Sequence, residues 1–208
     1  MNCEKRIGLF LFCLMLLSWP LQSIGQEFKS GLNLGASFTQ IDGDKMSGYN
    51  KLGPHLGIFV ERVMGPKLGM RLEFLFNVRG AKNYVNPENI ANPFKSAQYY
   101  IEVPLLLQYQ VQSHLNVETG VSFSALAYAY NRDNSGRYST TDKFKRSDWL
   151  MHLGLQYSLK ERSKVYARYS YSILSFDPLV QGRLFTAPKI RPGLYHNIVS
   201  VGIRRYFR

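Results

Sequence analysis

The segment from Tyr99 to Val111, YYIEVPLLLQYQV, alternates between two kinds of side chain. Its odd-numbered residues are all apolar or aromatic, whereas Glu102, Gln108 and Gln110 lie between them. Because successive side chains of a β-strand point to opposite faces, a period of two predicts a strand with one apolar face and one polar face. The class of protein therefore depends on what surrounds each face of the strand.

The same period recurs along the chain, and it predicts eight strands. Helical periodicity does not appear in these segments. Their apolar side chains occupy alternate positions within residues 32–38, 56–60, 68–78, 99–111, 115–125, 149–157, 165–171 and 199–207.

The predicted connections alternate between short turns and long polar loops. The short turns are residues 64–67, 112–114 and 160–163, and the long loops are residues 40–51, 81–98, 131–147 and 175–195. Short turns at one end, long loops at the other and an even strand number are typical of outer-membrane barrels. We therefore predict an all-β fold, an eight-stranded antiparallel up-and-down transmembrane β-barrel, in residues 26–208.

The first 25 residues have the order of a secretory signal peptide. Lys5 and Arg6 precede an apolar run over residues 7–17, and the small-residue site Ser23-Ile24-Gly25 follows. The apolar run is too short to span a bilayer as a helix, so we predict a leader over residues 1–25 that is cleaved after export.

Cysteine content limits the sites that the mature chain can form, and net charge indicates the partners that it can bind. Cys3 and Cys13 both lie in the predicted leader, so the mature part offers no disulfide, thiolate metal site or cysteine nucleophile. The formal net charge of +12 suits anionic lipid or lipopolysaccharide. Because the chain is predicted to be exported, nucleic acid is not expected as a partner.

Two kinds of barrel carry this alternation: one with lipid against its apolar face, and a soluble lipocalin-like carrier with that face inward. The polar face favours the first, because it is mainly Gly, Ser, Asn and Gln with isolated charges of both signs. Paired opposite charges suit a narrow, closed lumen, where each charge needs a partner. The candidate lumen ionic network is Glu61, Arg71, Glu73, Arg79, Glu102, Glu118, Arg168 and Arg204.

Aromatic residues give the height of the apolar band. Tyr99 and Tyr109 lie ten residues apart, which at about 3.3 Å per residue and a tilt of about 40° spans roughly 25 Å, the height of a lipid-facing band.

Pro104 lies inside this strand and lacks a backbone N–H, so a bulge or local distortion is expected there.

Several stretches resemble the PorT-family outer-membrane β-barrel proteins of Bacteroidetes-type bacteria. They are GLNLGASFTQIDGDKMSGYNKLGPHLGIFVE from Gly31, YIEVPLLLQY from Tyr100, YARYSYSIL from Tyr166 and the final YHNIVSVGIRRYFR. The resemblance covers essentially the whole mature chain and implies an outer-membrane barrel. It also implies a link to a dedicated protein-secretion machinery, through the namesake of the family, and it supplies no catalytic motif.

Candidate sites for catalysis and metal binding are weak. His55 and His196 fall near the long-loop end, where a clustered serine and acidic residue would favour an enzyme acting on lipid or peptide. Asp148 and His152 share the polar face but lie roughly 13 Å apart along a strand. Asp42-Gly43-Asp44 resembles the start of a calcium loop without the ligand expected at its twelfth position. We predict no catalytic residues, no cofactor and no metal.

The most basic long loop carries several cationic side chains. They are Arg132, Arg137, Lys143, Lys145 and Arg146, against Asp133 and Asp142. Contact with lipopolysaccharide phosphates and a merely solvated charged loop are both consistent with this composition.

Since eight strands close around a lumen that side chains fill, no aqueous pore is expected. The predicted function is that of a monomeric structural, binding or assembly protein that contacts outer-membrane lipid and protein partners.

Overall fold

The computed structural model describes residues 28–44, 48–82, 94–177 and 193–207. Residues 1–25, the predicted signal peptide, lie outside the described part of the chain. Long strands dominate these ranges: β1 (Phe28–Asp42), β2 (Lys51–Val63), β3 (Leu68–Arg79), β4 (Lys95–Gln112), β5 (Leu115–Asp133), the short β6 (Gly136–Ser139), β7 (Ser147–Lys160), β8 (Ser163–Ser172) and β9 (Tyr195–Tyr206). One 3₁₀ turn spans Thr141–Lys143.

Eight of these strands close into an antiparallel barrel. Each strand pairs with its neighbour along the chain, the first strand pairs with the last through β1 and β9, and β5 pairs directly with β7. β6 lies outside the ring, because it pairs with the end of β5 as a hairpin. Closure leaves no exposed sheet edge in the ring.

The apolar face of the sheet points outward. Ile101, Leu105 and Leu153 are 40%, 44% and 59% exposed, whereas Glu102 and Arg71 are 3% and 0% exposed. This confirms the predicted transmembrane barrel and overturns the alternative of a soluble lipocalin-like carrier, whose apolar face would line the interior. Within the described ranges, no helix is long and apolar enough to cross a membrane.

The strands continue farther into the long-loop end than the sequence predicts. The pairing of β4 with β5 shifts register between Tyr99 and Tyr100, where Tyr99 pairs with Tyr128 and Tyr100 with Leu126. Ala127 is therefore an extra residue in β5, and it reverses the alternation beyond that point. The reversal hides the strand signal, so the end of β5 and all of β6 fall in the predicted loop 131–147.

Pro104 distorts the sheet without a bulge. The ladder between β3 and β4 holds the pairs of Leu72 with Leu105 and of Leu75 with Glu102, but not the two pairs between them. The register is the same on both sides of this gap. A missing N–H accounts for the interruption, so the expected distortion is confirmed and the alternative form, a bulge, is wrong.

Candidate functional site

Six of the eight predicted lumen charges form one cluster toward the short-turn end, here called the short-turn cluster: Glu61, Arg71, Glu73, Glu118, Arg168 and Arg204. Arg71 is fully buried and donates to Glu61 at 2.6 Å and to Glu118 at 3.0 Å. Its guanidinium also donates to the amide oxygens of Gln108 at 2.9 Å and Gln156 at 2.7 Å. Five N–H donors in a fixed fork suit arginine to this bridging role.

The other two arginines complete the short-turn cluster from β8 and β9. Arg168 donates to both carboxylate oxygens of Glu73, at 2.9 and 3.0 Å. Arg204 donates to both oxygens of Glu118, at 2.9 and 3.0 Å, and lies 3.0 Å from Glu73. Three arginines thus meet three glutamates, and this balance offsets the cost of burying each charge.

Small residues make room for these side chains. A Cβ atom on Gly154 would lie 3.0 Å from Cγ of Glu118, and one on Gly35 would lie 2.5 Å from the ring of His55. The sequence therefore places glycine on the lumen face where a long polar side chain from another strand needs the space.

Arg79 and Glu102, the other two predicted residues, belong to a second group nearer the long loops, here called the long-loop cluster. Arg79 forms an ion pair with Glu102 and another, at 3.2 Å, with Asp148. Asp148 also accepts from Ser172 at 3.1 Å and contacts Nδ1 of His196 at 2.8 Å. Sequence reasoning placed Asp148 on the lumen face but did not link it to His196, because alternation gives the face of a residue and not its partner across the barrel.

A middle tier of uncharged polar groups lies between the two clusters. The His55 ring bonds to Ser37 at 3.0 Å and to the Tyr166 hydroxyl, which donates to Asn33 at 2.7 Å. Next to this tier is a cavity of about 10 Å³ that His55 and Tyr166 help to line. That volume is about the size of a single water site, so the described side chains fill the lumen at this level.

Apolar residues cover the long-loop cluster from above. This apolar cap consists of Ile41, Ala81, Phe144, Phe176 and Leu194. Phe176 is fully buried and stacks on His196, with ring centroids 4.1 Å apart. Backbone hydrogen bonds hold it in place, because Lys145 N donates to its carbonyl at 3.0 Å and its own N–H donates to Leu194 at 3.1 Å.

The Ser172, Asp148 and His196 side chains gather near the long loops, which is the grouping that would favour an enzyme. The hydrogen bonds link Ser172 to Asp148 and Asp148 to His196, an order that does not activate the serine. A serine nucleophile needs its hydroxyl on the imidazole, whereas the Ser172 hydroxyl donates to Asp148. The other imidazole nitrogen of His196 contacts Gln98 at 2.8 Å, and the ring is fully buried. This arrangement has no hydroxyl for the histidine to activate.

The Asp42-Gly43-Asp44 segment takes part in a loop latch. Asp42 accepts from Gln40 at 2.7 Å and from Asn197 at 3.3 Å, and Asn197 in turn accepts from the Tyr49 hydroxyl at 2.6 Å. Partial burial and then the Asp42 carboxylate raise the pKa of Tyr49, which keeps this donor protonated. In the described ranges, no group of three or more His, Cys, Asp or Glu side chains is placed to hold a metal ion.

Strand β4 and the β5–β6 hairpin together carry an outward-facing group, here called the tyrosine platform: Tyr99 on β4, with Tyr128, Tyr130 and Arg137 on the hairpin. The Arg137 guanidinium lies 3.8 Å from the ring centroid of Tyr130 and 5.8 Å from that of Tyr128. Tyr99 lies 6.1 Å from Tyr128 and 6.3 Å from Tyr130. Arginine on aromatic faces at a barrel rim is suited to the boundary between hydrocarbon and charged headgroups.

A protein-family model described as an outer membrane protein beta-barrel domain matches residues 22–177, well over half of the sequence. The chain belongs to this family. It is an outer-membrane β-barrel protein, and its apolar outer face and closed ring of eight strands agree with that assignment. No curated protein sequence matches this outer-membrane barrel.

Solved structures of small outer-membrane barrels share the fold. Neisserial surface protein A (NspA) is similar at a TM-score of 0.52 and 17% identity, over 88% of this chain and 99% of that one. Ail, the attachment invasion locus protein of Yersinia pestis, is similar at a TM-score of 0.51 and 15% identity, over 87% of this chain and 99% of that one. At these identities the likeness describes the fold.

Proposed function

We propose that this outer-membrane barrel is a monomeric, non-catalytic binding protein that holds phosphate-bearing lipopolysaccharide at its long-loop end. The tyrosine platform carries the proposal. Arg137 is fixed over two tyrosine rings on the outer side of the barrel, where the long loops of such barrels face the cell exterior. An arginine in this position pairs well with phosphate, because its planar guanidinium makes two parallel hydrogen bonds to an oxyanion.

Further positive charge surrounds the platform. Arg132 lies opposite Arg137 in the backbone register of the hairpin, so the two positive charges are neighbours. The Lys143 ammonium lies 5.8 Å from the ring centroid of Tyr138. Arg146 is the exception, because it pairs with Asp142 at 3.0 Å. A structure of Ail describes that protein in complex with the heparin analogue sucrose octasulfate, which is a polyanion. That ligand is a property of Ail, and the proposal for the present chain rests on the basic side chains of its own β5–β6 hairpin.

The absence of catalysis in this proposal is supported by the lumen histidines. His55, His152 and His196 are buried, and so are Ser37 and Ser170, whose hydroxyls contact the first two rings, so none of these groups is open to a substrate. We further propose a PorT-type relationship within the family, from the stretches quoted above. A link to protein secretion would then act through the same long loops, as a protein-binding role.

A binding experiment with a defined lipid tests the proposal. The barrel in zwitterionic nanodiscs is mixed with vesicles containing lipid A or dephosphorylated lipid A. We expect the phosphorylated lipid to bind more tightly, and Arg137→Ala to weaken that binding about tenfold, since a hydrogen bond to a charged group contributes about 1.5–3 kcal/mol. Arg162→Ala removes the same charge at the short-turn end and is the matched control. Equal binding of both lipids, or equal loss in both variants, would contradict the proposal.

A further inference from the structure

The lumen opens at the short-turn end into a polar cavity of about 200 Å³, here called the vestibule. Its lining comes from around the ring, including Lys29 on β1, Gln110 on β4, Asn116 on β5 and Lys164 on β8. The vestibule therefore lies on the barrel axis, not in a groove between two strands. Short turns of outer-membrane barrels face the periplasm, so a ligand of this cavity comes from that compartment.

The vestibule has an excess of positive charge. Lys29, Lys67 and Lys164 line it together with a single carboxylate, that of Glu61. The Glu61 carboxylate is already engaged, because it accepts from Arg71 at 2.6 Å and from the Tyr206 hydroxyl at 2.7 Å. Three lysines against one carboxylate give the lining a net positive charge, which favours an anionic ligand.

A second cavity of about 370 Å³ adjoins the vestibule and lengthens the basic surface. It shares Lys29, Glu61 and Lys164 with the vestibule and adds Arg162 and Glu161. A ligand that extends from one cavity to the other would meet cationic side chains along its length. An extended chain with several negative charges fits this arrangement better than a single small anion.

The uncharged lining indicates which kind of chain. Gln110 and Asn116 offer amides that both donate and accept, and Ser113 and Ser158 offer hydroxyls. Such groups match the N–H and C=O groups of a peptide backbone. A phospholipid headgroup would have to leave the bilayer to reach the axis of the barrel. The aromatic side chains nearby, Phe28, Tyr206 and Phe207, line the adjoining cavity and not the vestibule.

We propose that the vestibule receives an acidic segment of a periplasmic protein, with lysines pairing its carboxylates and amide side chains bonding its backbone. The barrel would thereby attach that protein to the outer membrane. This inference concerns the opposite end of the barrel from the tyrosine platform, and it does not depend on the lipopolysaccharide proposal.

The test uses the barrel in phosphatidylcholine nanodiscs and a fluorescent glutamate-rich peptide, with anisotropy as the readout. The reference probe is the same peptide with glutamine in place of every glutamate. We expect the glutamate peptide to bind more tightly and Lys67→Gln with Lys164→Gln to weaken it about tenfold, the loss appropriate to two solvent-accessible ion pairs. Arg132→Gln with Lys143→Gln removes two positive charges at the long-loop end and should leave binding unchanged.

Heat-dependent gel mobility verifies that each variant barrel is folded. If the double variant does not fold, Lys67→Gln alone, in the exposed turn, carries the test with an expected loss of about threefold. Equal affinity for the two peptides, or equal loss in the two double variants, would overturn the proposal. Phosphatidylglycerol vesicles provide a further arm. Lysine-dependent binding of these vesicles that displaces the peptide would identify a lipid headgroup as the occupant, and this too would overturn it.

Discussion

Arg168 and Glu73 meet across the full width of the barrel. Arg168 lies on β8 and Glu73 on β3, and four strand pairings separate these two strands in either direction around the ring. Their two hydrogen bonds, at 2.9 and 3.0 Å, therefore tie opposite walls together. Neither strand is hydrogen-bonded to the other through its backbone, so side chains alone provide this direct link, across a width that strand number and stagger determine.

Replacing one partner of this pair should destabilise the barrel strongly. Glu73→Gln leaves Arg168 buried without its bidentate acceptor and gives the short-turn cluster an uncompensated positive charge. Breaking a buried ion pair in this way costs about 3–5 kcal/mol. Urea unfolding of the barrel in lipid vesicles, followed by tryptophan fluorescence, measures the free energy of unfolding.

The matched double variant separates charge balance from shape. Glu73→Gln with Arg168→Gln restores neutrality, so it should be more stable than Glu73→Gln alone. If its free energy of unfolding instead falls by the sum of the two single losses, the charge-balance account of this pair is wrong.

Position along the membrane normal should determine the cost of a charge on the outer face. Leu153 and Leu159 both point outward from β7, at 59% and 54% exposure, with Leu153 in the middle of the strand and Leu159 near its short-turn end. Leu153→Arg should cost about 2–4 kcal/mol, and Leu159→Arg about 0–1 kcal/mol. The same urea titration compares them, and equal costs would show that Leu153 does not lie in the hydrocarbon.

The sequence predicts faces well and partners poorly. A period of two assigns Arg71, Glu102 and Leu153 to their faces, because the pleat links position to direction for every residue of a regular strand. The pairing of Asp148 with His196 depends on strand tilt and stagger around the ring, which local pattern does not contain. The hairpin of β5 and β6 escapes prediction because the extra residue at Ala127 reverses the alternation there.

Truncating the apolar cap should expose His196 to solvent reagents. Phe176 covers the imidazole, so Phe176→Ala should raise the rate at which diethylpyrocarbonate modifies His196, measured residue by residue with mass spectrometry. Removing a buried phenylalanine should also lower the free energy of unfolding by about 3 kcal/mol. Phe176→Leu keeps an apolar cover and is the control. An unchanged modification rate in Phe176→Ala would show that other residues of the cap shield the histidine.

The same variant distinguishes a lid from a filled lumen. If the cap alone closed the barrel, Phe176→Ala would open a path for ions. Below the cap, however, Arg79 still bridges Glu102 and Asp148, and Arg71 still bridges Glu61 and Glu118. Because these two layers fill an eight-stranded ring, both the natural chain and Phe176→Ala should show no steady conductance in planar bilayers, with a larger porin recorded in parallel as the positive control. Conductance that appears in Phe176→Ala would mean that the charged layers leave a continuous aqueous path and that Phe176 is the gate.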